Sequence, residues 1–220
     1  AAFMAAVLSA DMDNTDKIVH LIAECGDMKL KVVPPDVNRS RYHFTTMAED
    51  TIVYGLGAIK GVGQAAIEGM LAERGDGGGF ADLFDLCRRV DLRKVNRRVF
   101  DALIRAGALD PMGDTRASQL ANLDKALKLA EQHSRNLDTG QHDLFGDSQS
   151  AAPLPVEKQV VPEWEEEQRL QGEMDALGLY LTGHPIARYA AELANITPGK
   201  LADLAALCTT APQSNKGAKK

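Results

Sequence analysis

"LGAIKGVGQAAIEGML", residues 56–71, places two glycines around a valine immediately ahead of a run with helical spacing. Glycine at 61 and 63 permits a tight turn with positive φ, and no Cβ keeps another backbone at a distance. The amides of Gly61, Val62 and Gly63 are then expected to point outward at the N-terminus of the following helix, where the helix dipole favours an anion. Val62 is expected to tuck inward and hold the turn to a core. Lys60 can add a charge-assisted contact to the same anion. The chain carries neither G-x-G-x-x-G nor G-K-[ST], so this is not the glycine loop of a nucleotide site.

Ile59–Gly63 followed by a helix has the pattern of a helix-hairpin-helix turn, a device that grips a nucleic-acid backbone without reading bases. A G-x-G ahead of a helix is also an ordinary turn, and Ile67 replaces the small residue usual four positions after the second glycine. The neighbouring unit strengthens the reading. "FADLFDLCRRVDLRKVNRRVFDALIRAGALD", residues 80–110, reads as two short helices around a turn at Val90–Lys94. Phe80, Leu83, Phe84 and Cys87 form one apolar stripe, and Val95, Val99, Ala102, Leu103 and Ala106 the other, with Gly107 ending the second helix. Lys94, Arg97 and Arg98 fall in or beside the turn, away from both stripes. Two such hairpins in tandem can straddle a minor groove and hold both strands through phosphates, in a salt-sensitive and nearly sequence-blind way. On this reading, removing Arg97 and Arg98 together flattens the salt dependence by about two units. Gly63→Val is expected to be more damaging than either arginine change, because it closes the backbone approach and strains the turn.

Composition agrees with a mainly α protein. The 220 residues are 45% hydrophobic and only 5% aromatic, with Ala, Leu and Val carrying the apolar content. No apolar run is long enough to span a bilayer, and no signal segment opens the chain. "AAFMAAVLSA" reads as a cut end within a longer protein. Cys25, Cys87 and Cys208 are dispersed, which suits a reducing cytoplasm without disulfides or a zinc site. The net charge of −6 is unevenly spread. Residues 88–105 hold seven Lys/Arg against two acids, whereas 138–178 hold ten Asp/Glu against Lys158 and Arg169. A basic module followed by an acidic tether fits one part that faces a polyanion and one kept off it. Each run is also what a solvated face would look like.

Elsewhere the pattern predicts a helix end over 1–12 and a helix from Asn14 or Thr15 with Ile18, Leu21, Ile22 and Cys25 inward. Short strands are expected in "LKVVPPDVN" and "TIVYG", and helices over 64–74, 80–90, 95–106 and 114–134. Residues 137–162 read as linker, "EWEEEQRLQGEMDAL" as helix, "GLYLTGHP" as extended chain with a turn, and the last twelve residues as a polar tail. Within the linker stands "GQHDLFGDSQ", residues 140–149, where Leu144 and Phe145 have no period that could bury them.

"DNTDKIVHLIAEC", "VVPPDVNRS", "YGLGAIKGVG", "NRRVFDALIRAGALD" and "LGLYLTGHP" follow in the order and spacing seen in the alpha subunits of bacterial DNA polymerase III, the C-family replicative polymerases. The chain resembles that family to about residue 205. The resemblance implies that residues 1–52 are the end of the fingers domain. It implies a tandem helix-hairpin-helix and clamp-binding domain over 53–171, and a lead-in to an OB-fold domain with a polar tail over 172–220. It implies duplex DNA, held by Lys60, Gly61, Val62, Gly63, Lys94, Arg97 and Arg98. The beta sliding clamp would be met by Gln141, Asp143, Leu144 and Phe145, which resemble the family's Q-x-[DS]-[LM]-F pentapeptide, and other replisome subunits would follow through the parent chain. The parent would be a DNA-directed DNA polymerase using magnesium ions in a palm domain. No segment here resembles the palm, so no catalytic residue, metal ligand or cofactor is expected in this chain, and His20, His43, His133, His142 and His184 show no ligand spacing. Two other readings stay open on the residues alone. A helix-hairpin-helix repair enzyme such as a glycosylase would need a catalytic Asp or Lys after the second hairpin, where only Asp110 and Asp114 lie, and an aromatic base pocket. A helical adaptor without DNA contact would leave the basic cluster unexplained.

Overall fold

The first helix ends because "SADMDN" brings small and polar residues after the apolar Phe3–Leu8 run. In the computed structural model, which describes residues 1–138 and 157–197, α1 covers Ala2–Ala10 and α2 covers Thr15–Asp27. Asn14 caps α2 by accepting the Lys17 N–H at 3.1 Å, and Ile18 and Cys25 are buried beneath it. Pro34 and Pro35 stop the strand β1 (Lys31–Val33) after three residues. The sequence pattern missed β2 (Thr45–Ala48), whose burial is intermediate at Thr45 and exposed thereafter, so it carries no alternating signature. It pairs antiparallel with β3 (Thr51–Val53), which also pairs parallel with β1, giving the order β1-β3-β2. β3 is central and wholly buried; both neighbours are edges.

A single 3₁₀ turn at Leu56–Ala58 leads to α3 (Gln64–Gly77). The second hairpin consists of α4 (Leu83–Arg89) and α5 (Arg97–Arg105), and α6 (Arg116–Asp138) packs against both. The predicted inward residues of the hairpin lie in one core with Leu86, Phe100 and Ile104, which the stripe reading omitted. Gly107, at φ 76°, ends α5, and Ala108 donates to Leu103 O at 2.9 Å.

The stretch expected to be linker is pinned at its far end. Asn122 exchanges two hydrogen bonds with the Gln159 backbone (2.7 and 2.9 Å), and Ser118 Oγ exchanges two with Val161 (2.9 and 2.8 Å). Glu163 caps α6 by accepting the N–H groups of Arg116 (3.0 Å) and Ala117 (3.2 Å). Burial opposes its ionisation, yet the N–H donors of Trp164, Arg116 and Ala117 hold its carboxyl below the usual glutamate range. These contacts reach side chains and first amides of α6 that lie 37 to 47 residues earlier, and a polar run gives no periodic sign of them.

α7 (Glu166–Leu177) contributes Glu173, which is fully buried against Arg116. Arg116 also forks onto Asp110 (2.7–3.1 Å), while Glu173 accepts from Leu181 N, Thr182 N and Thr182 Oγ1. One buried network therefore joins the end of the second hairpin, the start of α6 and the turn after α7. The described residues up to Gly183 form one compact unit. The unit beginning at His184 holds a 3₁₀ turn, Pro185–Tyr189, capped by His184, which accepts the Ile186 N–H, and a short helix α8 (Ala190–Ile196).

Candidate nucleic-acid interface

The first turn is built as the glycine pattern requires, with one change. Val62 N–H donates to Ile59 O at 3.2 Å, closing a four-residue turn in which only Gly61 has positive φ, +80°. A positive φ confined to the third position is the type II geometry that favours glycine there. Gly63 is instead extended (φ −75°, ψ 152°) and is the N-cap of α3, so its lack of a side chain relieves no strain. The expectation that Gly63→Val distorts the turn is therefore corrected. A Cβ at either position would meet nothing within 4 Å. What a side chain at 63 would obstruct is open space beside the helix N-terminus.

Val62 is buried, as its anchoring role requires, but its amide is spent inside the turn rather than pointing outward. Among the described residues, the amides of Gly61, Gly63, Gln64 and Ala65 have no hydrogen-bond partner, and all four residues are exposed. They form a group of N–H donors at the positive end of a 14-residue helix. Lys60 beside them is exposed and has no acidic partner among the described residues. Its own amide donates to Ala176 O at 2.9 Å, which fixes the turn against the end of α7.

The second hairpin presents fewer free cations than its composition promised. Asp85 receives Arg88 at 2.9 Å and Arg89 at 3.3 Å. Arg89 is structural: it donates to the carbonyls of Glu73, Gly78 and Gly79 and lies over the Phe80 ring at 4.5 Å. Asp91 holds Arg93, and Asp101 holds Arg105. Arg97, one of the three residues singled out from the sequence, pairs with Asp124 of α6 at 2.8 Å. That bond and the nearby charge raise the Arg97 pKa and lower that of Asp124. Lys94 and Arg98 remain exposed and form no salt bridge among the described residues, although the charge of Lys94 acts on Asp91. Asn96 Oδ1 caps α5 through the amides of Arg98 and Val99, which holds Arg98 in the first turn of that helix. Sequence spacing could not show that Asp124, 27 residues on, reaches Arg97.

Gln141, Asp143, Leu144 and Phe145 lie outside the described residues, as does Cys208. Cys25 and Cys87 are buried free thiols, and burial pushes the pKa of Cys87 up to about 12. Among the described residues no group of His, Cys, Asp or Glu is placed to hold a metal ion, and no helix is long and apolar enough to cross a membrane.

Residues 29–119, which contain both turns, match the helix-hairpin-helix motif family. Over 207 residues the chain is 51% identical to DNA polymerase III subunit alpha of Vibrio cholerae, covering 93% of this chain and 18% of that protein. The corresponding proteins of Haemophilus influenzae and Escherichia coli K12 are 49% identical over 206 residues and 48% identical over 201. The chain thus spans less than a fifth of the length of the curated relatives it matches.

Proposed function

This chain is homologous to one segment of the bacterial DNA polymerase III alpha subunits, and on that premise we propose that it holds duplex DNA and tethers a replicative polymerase to its sliding clamp. The observation that carries the first half is the Lys60–Ala65 turn, with four unpaired amides and a free lysine at the N-terminus of α3. A phosphate is the ligand such a site fits. Its negative charge meets the helix dipole, and its oxygens accept from backbone N–H groups that no side chain covers. Lys94 and Arg98 extend the grip at the second hairpin. Every donor is backbone or cationic and none is placed to read a base edge, so binding is insensitive to sequence.

The second half concerns Gln141-His142-Asp143-Leu144-Phe145. Two features support the reading. The family resemblance covers this part of the chain, and the described chain on either side is anchored to one helix: α6 runs to Asp138, and Lys125 Nζ holds the Glu157 carbonyl at 2.5 Å. Leu144 and Phe145 fill an apolar pocket on the ring, each burial contributing roughly 1.5–3 kcal/mol. The Gln141 amide donates and accepts at the other end of the motif. Two modest contacts on one chain, DNA through the hairpins and clamp through the pentapeptide, reinforce each other by effective concentration.

The proposal assigns residues 1–52 to the end of a fingers domain, 53–171 to the DNA- and clamp-binding domain, and the remainder to the approach to an OB-fold domain. It places nucleotide transfer and its magnesium ions in a palm domain outside these residues. The decisive experiment is the double change Leu144→Ala, Phe145→Ala. Clamp binding is lost while duplex binding by the hairpins stays within twofold. Unchanged clamp affinity in the double variant would refute the tether, and parallel loss of duplex binding would refute the division of labour.

A further inference from the structure

We propose that Arg41, with His43 beside it, is a third contact to the DNA backbone, outside both hairpins. The inference rests on the duplex-binding reading above. Residues 41–44 lead into β2 through bends at Tyr42 and His43; Arg41 and His43 are exposed, Tyr42 is half-buried and Phe44 is in the core. The segment adjoins the first hairpin through its backbone. Leu56 N–H donates to Arg41 O and Gly57 N–H to Tyr42 O, both at 2.9 Å, so the segment is bonded to the chain that enters the Lys60–Gly63 turn.

The two segments lie flush. A Cβ on Gly55 would stand 2.7 Å from the His43 carbonyl carbon, and one on Gly57 would stand 2.9 Å from the Tyr42 ring. No side chain can be inserted there without moving the segment, which fixes the position of Arg41 relative to the turn. The Tyr42 ring meets the His43 imidazole edge-on, with centroids 4.9 Å apart, and so orients it.

The electrostatics distinguish Arg41 from its neighbours. Arg39 lies 3.5 Å from Asp36, whereas Arg41 has no acidic partner among the described residues. Burial lowers the Arg74 pKa, and Arg41 lowers it further while Asp36 works the other way. The two guanidinium groups repel each other, and Arg74 is held in place by the carbonyls of Val37 and Ser40 at 2.8 Å. An anion beside Arg41 relieves that repulsion. A phosphate suits it best, because the planar guanidinium can donate two parallel hydrogen bonds to its oxygens. His43 can add one imidazole N–H.

The test compares Arg41→Ala, Arg41→Lys and Lys60→Ala in duplex binding between 50 and 200 mM salt, with thermal unfolding as a check on folding. Arg41→Ala removes one phosphate contact, so the slope of log K against log salt becomes shallower by about 0.9. Over this fourfold range the wild-type chain then loses about 3.5-fold more affinity than the variant. Arg41→Lys keeps most of the slope, and the melting temperature is unchanged in both. If Lys60→Ala flattens the slope while Arg41→Ala leaves it intact, this inference falls and the hairpin reading stands. If Arg41→Lys loses as much as Arg41→Ala, charge is not the cause and the inference again falls. If neither Arg41→Ala nor Lys60→Ala alters the slope, the hairpin reading falls with it.

Discussion

Alanine at position 61 and alanine at position 63 look alike on paper and separate folding from binding in this turn. Gly61 sits at φ +80° with nothing within 4 Å of a Cβ, so alanine there meets no clash and incurs only left-handed backbone strain, about 1–2 kcal/mol. For a chain of this length that lowers the melting temperature by about 2–8 °C. Gly63 sits at φ −75° in equally open space, which alanine adopts without strain. Alanine is a poorer N-cap than glycine but restricts the unfolded chain more, and the two effects, each about 0.5–1 kcal/mol, offset each other. Its methyl group, however, occupies the space where a phosphate must approach the free amides. Losing one hydrogen bond to a charged group removes about 1.5–3 kcal/mol, a roughly 10- to 150-fold weakening of duplex binding. Denaturant titration paired with fluorescence anisotropy on a labelled duplex reads both quantities. A Gly63→Ala chain that is fully stable and binds DNA as well as wild type would refute the claim that these amides face a phosphate. A Gly61→Ala chain with unchanged stability would refute the turn assignment.

The ion pair between Arg97 and Asp124 makes the two arginines of α5 unequal. Arg98→Ala flattens the salt slope by about one unit and Arg97→Ala by clearly less, while Asp124→Asn frees Arg97 and steepens the slope. Equal effects of the two arginine changes would show that the pair opens on DNA. Glu173→Ala leaves Arg116 buried with only Asp110 as an acidic partner and destabilises the chain by about 3–5 kcal/mol in denaturant titration, whereas a loss under 1 kcal/mol would show that the network relaxes. Glu163→Ala removes a cap on α6 and costs about 1 kcal/mol at neutral pH. Because the folded pKa is depressed, the contribution of Glu163 is present above the usual glutamate range and lost as pH falls through the lower folded value, so the wild-type and variant stabilities converge in acid.

What the sequence made legible follows from how local each signal is. Asn14 as a cap, the stripes of the second hairpin, Gly107 at its end and Val62 as an anchor all depend on neighbours a few residues away, and all appear in the structure. β2 was illegible because its residues are mostly exposed on both faces and show no alternation. Residues 157–162 looked like linker because side chains of α6, 37 to 43 residues earlier, bond to their backbone and leave no mark on their own composition. The glycine turn was legible in kind, but the electrostatics of the basic cluster were not. Counting cations could not show that acids at 85, 91, 101 and 124 already neutralise five of the seven.

The central claim, that this chain holds duplex DNA by phosphates alone, is tested most directly by its affinity for two duplexes of equal length and unrelated sequence across a salt series. Four exposed cations without a salt bridge among the described residues, Arg41, Lys60, Lys94 and Arg98, at about 0.9 units each, predict parallel lines with a slope of roughly −3 to −4 and affinities within about twofold of each other. A slope near zero, or a tenfold preference for one sequence at every salt concentration, would contradict the account.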